Sequence, residues 1–432
     1  MNVKLVKAAH SEPVDKSLLY RRLRAKNGSL HFGKLHFARN KGKENKAEKS
    51  SSEFSRMHVK KSLLERLDAG EVIIGDGGMI FNLERRGYVH AGRFTPEVVL
   101  EYPEAVRQLH REYVHSGADV LQALTFFASD SHLQKAGIRG TCREMNDAAC
   151  KIAKEVAEES SRDVLVAGCL SETFAYTGPD SKEDSAAEFA VQVKCFIEND
   201  VDFVVAEYFR YIEEMCWAIE ALRKANKPIV AMMNIGGMGD RNGVSTGDCA
   251  VEMAKWGADV IGLNCCFGPE LLVEAMKDVK DALEKAGLKK HLICQPLGFL
   301  TPDAGKDGYL GLPEFPFALE PRSLTRFDAR KFARNAYEAG VKYIGGCCNF
   351  EAYHIREMAA ELAKERGFKA PNADKMSDWG TAVASSPTPW IKQRGRREYW
   401  ENLLPTTGRP FSSGMSKSQY DPEWRSKNGL PR

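Results

Sequence analysis

From Ser62 onward the chain alternates between short apolar runs and longer stretches whose apolar residues return every three or four positions. The runs are EVIIGDGG (71–78), ADVLQALTFF (118–127), DVLVAGCLSET (163–173), VDFVVAEYF (201–209), PIVAMMNIGG (228–237), ADVIGLNCC (258–266), HLICQPLG (291–298) and VKYIGGCC (341–348). They are continuously apolar rather than alternating, as strands are when both faces of a parallel sheet are covered. The stretches between them read as amphipathic helices. They include PEAVRQLHREYVHSG, EMNDAACKIAKEVAEES, SAAEFAVQVKCFIEN, IEEMCWAIEALRKAN, the run from Glu270 to Ala286, and RFDARKFARNAYEAG. Eight such strand–helix units predict an α/β chain folded as a single (β/α)8 TIM barrel. A doubly wound sheet competes less well, because the first run lacks the GxGxxG phosphate loop of that fold. The GDGG that closes this run permits a tight turn or a close backbone approach.

The flanks lose this rhythm. Residues 1–57 are rich in Lys, Arg, Asn and Ser, with KGKENKAEKSSSEF as the clearest low-complexity segment, and read as a disordered basic extension. After about residue 370 the sequence turns to Gly, Pro, Ser and aromatics, including Trp379, Trp390, Tyr399 and Trp400. The expected division is therefore an extension over 1–57, a barrel over 58–370 and an extended C-terminal arm over 371–432. Such an arm either embraces a partner subunit or packs on its own barrel; its composition fits both.

Charge narrows the class. A formal net charge of +3 on 432 residues gives no basis for expecting a nucleic-acid partner. No apolar run reaches the length of a membrane span, and the N-terminus lacks the compact apolar stretch of a signal peptide. The opening MNVKLVKAAHSEPVDK mixes acids among its bases, which suits a transit peptide poorly. We expect a cytoplasmic protein without a membrane partner. The 11 cysteines are odd in number and irregularly spaced, so they do not form a disulfide framework.

In a barrel the C-terminal ends of all strands meet at one mouth. That rule brings together residues far apart in sequence: Cys265 and Cys266 from the sixth run, Cys347 and Cys348 from the eighth, Asp76 from the first, Glu207 from the fourth, and Phe126 and Phe127 from the second. Three thiolates with an open fourth position make a zinc site suited to catalysis. The competing reading is that these cysteines are small buried side chains, as Cys142, Cys150, Cys195, Cys216 and Cys249 are expected to be in their helical stretches. Asp76 and Glu207 end apolar strands, where an unpartnered acid is costly. They serve either a salt bridge or helix cap, or the recognition of an ammonium group. Phe94 and Phe127 are either core or a cation–π surface.

Beyond these local readings, the segment EVIIGDGGMIFNLERRGYVHAGRFTPEV (71–98) resembles the opening strand and loop of betaine–homocysteine S-methyltransferases. EYPEAVRQLHREYV, VDFVVAEYF, IGLNCCFGP, LPEFPFALEPR, YIGGCCNFEAYHIR, PTPW and REYWENL extend the resemblance over residues 58 to 415. The resemblance implies one zinc ion per subunit held by Cys265, Cys347 and Cys348. It implies substrate contacts at Asp76, Gly77, Phe94, Phe127 and Glu207, with the two acids also catalytic through the homocysteine amine. It further implies a homo-oligomer built as a dimer of dimers. The implied reaction moves a methyl group from glycine betaine to homocysteine bound as a zinc thiolate, giving methionine and dimethylglycine.

The chain departs from the family pattern around the donor. Phe94 stands where the family has Trp, Phe127 where it has Tyr, Ala123 where it has Thr, and Cys266 where the animal enzymes often have His. Phenyl rings hold a quaternary ammonium less well than an indole, and the lost phenol removes a hydrogen-bond donor. A sulfonium donor, dimethylsulfoniopropionate or S-methylmethionine, is therefore the alternative to betaine. A zinc hydrolase is a weaker rival, since three thiolates activate water poorly, and a non-enzymatic zinc or packing role is the third.

Overall fold

The computed structural model describes residues 60–90, 95–371, 373–375, 386–394, 396 and 398. The basic extension, most of the arm, and Phe94, Trp379, Tyr399 and Trp400 lie outside the described residues. Each apolar run contains one strand: β1 (Ile73–Ile74), β2 (Val120–Gln122), β3 (Leu165–Ser171), β4 (Phe203–Phe209), β5 (Ile229–Met233), β6 (Val260–Asn264), β7 (His291–Gln295) and β8 (Tyr343–Ile344). They form one eight-stranded sheet in the order β1-β8-β7-β6-β5-β4-β3-β2, and its neighbours pair in parallel. The anticipated helices surround it, and Thr246–Trp256 and Ala352–Glu361 complete the ring after β5 and β8. This is the expected (β/α)8 barrel. Among the described residues no helix is long and apolar enough to cross a membrane.

The strands are shorter than the apolar runs, because the chain leaves the ladder early to build the mouth. Cys265 and Cys266 follow β6, and Cys347 and Cys348 follow β8 after two glycines, so none of the four lies within a strand. Gly346 has no room for a side chain: a Cβ there would sit 2.1 Å from Cγ of Phe350.

Two apolar layers hold the barrel. Inside it, Ile73, Val120, Leu165, Phe203, Val230, Val260, Ile293 and Tyr343 pack together, with Leu63 and Leu67 closing the bottom. Those two leucines come from the helix Leu63–Asp68, whose start is fixed by a capping box between Ser62 and Glu65. The second layer lies between strands and helices and contains Cys150, Cys249 and most of the other apolar helix faces. The five helical cysteines are buried, as anticipated.

Between β1 and β2 the ladder gives way to side chains. One backbone bond joins them, from Asp119 N–H to the Ile74 carbonyl at 2.7 Å. Asp119 Oδ2 accepts the Ile74 N–H at 2.9 Å, and Asp76 Oδ2 accepts the Gln122 N–H at 2.8 Å. The first of these devices recurs: Asp202 Oδ2 accepts Val166 N–H at 2.7 Å and Asp259 Oδ2 accepts Ile229 N–H at 2.9 Å. In each case the acid immediately before an even strand satisfies the preceding odd strand. Asp119 is 1% exposed and is balanced by Arg366, whose Nη2 lies 2.9 and 2.8 Å from its two oxygens, by Arg162, and by Arg66 at 3.7 Å.

Replacing Asp119 by Asn should leave the buried Arg366 guanidinium, and with it Arg162, without their carboxylate partner at the barrel floor, while Arg66 keeps Glu71 at 2.9 Å. We expect a loss of about 3–5 kcal/mol, the usual effect of removing one partner from a buried ion pair, read as a lower midpoint in urea unfolding. An unchanged midpoint would show that the seam is held by packing alone.

Candidate active site

The sulfurs of Cys265, Cys347 and Cys348 lie within 4.8 Å of one another. Cys265 Sγ and Cys348 Sγ are 3.7 Å apart. A tetrahedral zinc site with bonds of about 2.3 Å separates its sulfurs by about 3.8 Å, so the donor set and its spacing fit such an ion. Two backbone bonds set the convergence: Cys265 N–H donates to the Gln295 carbonyl and Cys347 N–H to the Pro296 carbonyl, both at 2.9 Å. Cys265 and Cys266 both take left-handed backbone angles, with φ of 57° and 51°. Two successive non-glycine residues there represent stored strain of a kind concentrated at functional sites. Cys266 is not part of the three-sulfur group, and its Sγ lies 3.9 Å from Tyr208 Oη. Hydrogen bonds from Cys265 and Cys348 hold the Cys347 thiol well below its ordinary range.

The two acids line the same cavity, about 90 Å³ in volume, as the three cysteines. Burial pushes Asp76 up to about 8 and Glu207 well above the usual carboxylate range. An amide frame holds them. Gln122 gives its backbone N–H to Asp76 and aims Nε2 at Glu207 Oε1 at 3.5 Å, while its own Oε1 accepts Gln295 Nε2 at 2.7 Å. Asn264 Nδ2 donates to Glu207 Oε2 at 3.1 Å, and Asn264 Oδ1 accepts the Tyr208 N–H at 3.1 Å. Sequence reading passed over Gln122, Asn264 and Gln295. The available signal was the one that picked out the acids: a polar residue ending an apolar run.

Gly77 also lines the cavity, and a Cβ there would lie 2.6 Å from the Phe350 carbonyl oxygen. The glycine lets the first loop press against the loop that carries Cys347 and Cys348. The two phenylalanines after β2 face different cavities. Phe126, rather than Phe127, lines the sulfur cavity, together with Phe81, Tyr208 and Tyr309. Phe127 turns away at φ 54°, gives its N–H to Ser171 Oγ at 3.0 Å, and lines an adjoining cavity of about 380 Å³ that shares Phe81, Tyr208 and Tyr309.

Tyr309 reaches the site from the long connection between β7 and the helix Arg326–Glu338. Its N–H donates to the Cys266 carbonyl at 2.8 Å. The connection is pinned by Arg322, which is 1% exposed and forks onto Asp303 at 2.7 and 2.8 Å, with Glu314 at 3.2 Å. Tyr208, Tyr309 and Arg322 were likewise not singled out in the sequence.

Comparison with known proteins adds to this geometry. A family model described as homocysteine S-methyltransferase matches residues 73–362. The betaine–homocysteine S-methyltransferase 1 of Xenopus tropicalis is 52% identical over 364 residues, which cover 83% of this chain and 89% of that protein. The S-methylmethionine–homocysteine S-methyltransferase of Rattus norvegicus is 50% identical over 359 residues, covering 83% of this chain and 97% of that one. In fold the chain is similar to the metallated form of the homocysteine methyltransferase MmuM from Escherichia coli. The TM-score is 0.54 at 18% identity, over 68% of this chain and 96% of the other. Because the matched span begins at β1 and runs past the paired cysteines, it contains every residue of the mouth described above, and the chain belongs to the homocysteine S-methyltransferase family.

Proposed function

We propose that the protein transfers a methyl group from glycine betaine to the sulfur of homocysteine, yielding methionine and dimethylglycine, with zinc held by Cys265, Cys347 and Cys348. The observation that carries the reading is the meeting of these three sulfurs with Asp76 and Glu207 in one cavity. Zinc bound there would supply a fourth position at which a thiol loses its proton near neutral pH yet stays nucleophilic.

The side chains do the rest. Asp76 and Glu207 accept hydrogen bonds from the homocysteine ammonium, whose charge offsets the burial that otherwise disfavours their ionisation. Gln122 and Asn264 keep Glu207 from rotating away from that amine. Phe126, Tyr208 and Tyr309 line the approach to the sulfur and exclude water. A positive donor and a negative sulfur become neutral products, so a dry, apolar wall favours the transition state over the separated charges. The amine or thioether leaves uncharged, so no acid is required. Much of the acceleration comes from holding two dilute reactants in line.

A sulfonium donor is the second reading. It is favoured by Phe127, which brings a ring and no hydroxyl to the adjoining cavity, and by the similar identity of relatives named for different donors. In either case we take the protein as a homo-oligomer, with the arm and exposed residues such as Trp390 and Phe317 supplying apolar contact surface.

The deciding experiment measures methionine formation by zinc-analysed protein offered glycine betaine, dimethylsulfoniopropionate and S-methylmethionine in parallel. Betaine turnover supports the first reading, and turnover confined to a sulfonium replaces it with the second. Changing Cys347 to Ala should remove bound zinc and activity together while the protein stays folded. Normal zinc content with near-normal activity would return that cysteine to the core. Changing Glu207 to Gln should raise the homocysteine KM about 10- to 100-fold, as expected for a charged hydrogen bond worth about 1.5–3 kcal/mol, and leave the donor KM nearly unchanged. An unaltered homocysteine KM rules out the amine contact.

A further inference from the structure

The adjoining cavity carries a pair of charges that the methyl-transfer reading does not use. Glu172 follows the last residue of β3 and Arg210 the last residue of β4. Both line this cavity beside Phe127, Phe174 and Tyr208. Arg210 Nε donates to Glu172 Oε2 at 2.9 Å and Nη2 to Oε1 at 2.7 Å, a two-bond fork. Glu172 is 8% exposed, whereas the Arg210 side chain is 38% exposed. Among the described residues the guanidinium is thus held by one edge, and its reachable remainder faces a space walled by aromatic rings. The placement follows from the backbone: the β4–β5 pairing shifts register between Ala206 and Phe209, and Tyr208 sits at φ 68°, which sends Glu207 toward the sulfurs and Arg210 toward the neighbouring cavity.

We infer that Arg210 binds the carboxylate of the methyl donor, with Glu172 as the residue that positions it, so that the chain selects a zwitterionic onium compound over a simple cation. The inference rests on the methyl-transfer reading. An ion pair of no net charge among aromatic faces complements a zwitterion laid against it in the opposite sense, carboxylate on guanidinium and onium against Glu172 and the rings. A bare quaternary cation would leave the guanidinium edge without a partner and place a second positive charge near it. This assigns the carboxylate a partner where Phe127 offers no hydroxyl. The other guanidinium lining the cavity, Arg85, pairs at 3.1 Å with Glu351, which does not line it.

The test compares wild type with Arg210→Gln, Arg210→Lys and Arg85→Gln under steady-state conditions, using whichever carboxylate-bearing donor wild type turns over. Arg210→Gln should raise the donor KM about 10- to 100-fold, Arg210→Lys should recover part of that loss, and Arg85→Gln should change it less than about twofold. The homocysteine KM should stay within about twofold in all three. The inhibition constant of tetramethylammonium, a cation without a carboxylate, should not rise in any of them and should fall in Arg210→Gln, where Glu172 is left unneutralised beside the rings. The double change Glu172→Gln with Arg210→Gln leaves no buried charge alone and must show the same donor loss. A donor KM in Arg210→Gln within twofold of wild type overturns the inference. So does an equal weakening of donor, homocysteine and tetramethylammonium, which would mark general damage to the mouth. Absence of methionine formation by wild type with every donor would instead fell the methyl-transfer reading, and this inference with it.

Discussion

Closure of the barrel between β1 and β2 is the constraint on which the rest of the structure depends. A two-residue β1 cannot offer a full ladder on both sides, and its backbone pairing is given to β8. Carboxylates make up the difference at the other edge: Asp119 near the floor and Asp76 near the mouth. A carboxylate has two oxygens and can accept more than one bond, so Asp76 can close the seam with Oδ2 and still present acceptor capacity to the cavity. The acid proposed as a substrate ligand is therefore also part of the wall, so a change that tests the proposed role disturbs the seam as well.

The mouth is held open by strain that the scaffold over-determines. Tyr208, Cys265 and Cys266 sit at positive φ within or just past strand ends, and Phe127 does so in the loop after β2. Each turn redirects a side chain that a straight strand would have sent elsewhere. Left-handed backbone costs a non-glycine residue free energy, and the compensation is visible nearby. Asn264 receives the Tyr208 N–H, Gln295 and Cys266 offer their carbonyls to neighbours, and Arg322 anchors the connection that brings Tyr309 over the cysteines. Glycine at these positions would relax the turns, but it would also remove the sulfur or ring that the turn exists to deliver.

The fold and the meeting of the cysteines were legible for a simple reason. Continuous apolar runs separated by helical periodicity specify strand order in a barrel, and strand order alone puts the ends of β6 and β8 at one mouth. That topology put Cys265, Cys266, Cys347 and Cys348 at one mouth before any side chain was placed, and the family resemblance singled out Cys265, Cys347 and Cys348 among them. The aromatic wall was not legible. Whether Phe126 or Phe127 faces the sulfurs depends on one left-handed residue, and a one-residue change of aim reverses inside and outside. The frame of Gln122, Asn264 and Gln295 was hidden differently, because an amide at a strand end has many bland explanations and gains meaning only once its partners are known. Arg322 lay in a connection without periodicity, where sequence gives no register at all.

Donor choice follows from the same division of labour. The cavity over the three sulfurs is built from strand ends and the seam, elements that cannot shift without opening the barrel. The adjoining cavity is different: one wall is the connection after β7, carrying Tyr309, Phe315 and Phe317, and the other is the three segments after β2, β3 and β4 that carry Phe127, Phe174 and Arg210. Loops tolerate substitution better than ladder positions do. Changes that alter which onium compound is accepted can thus accumulate there while the sulfur chemistry is preserved. Aromatic rings attract any onium centre and discriminate weakly among them, since the attraction is to a diffuse positive charge. Discrimination must come from whatever reads the rest of the donor. An ion pair with one half-exposed guanidinium at the rim of an aromatic cavity has the directionality that the rings lack, and it is to such directional groups that the proposed reading assigns methyl-donor selectivity.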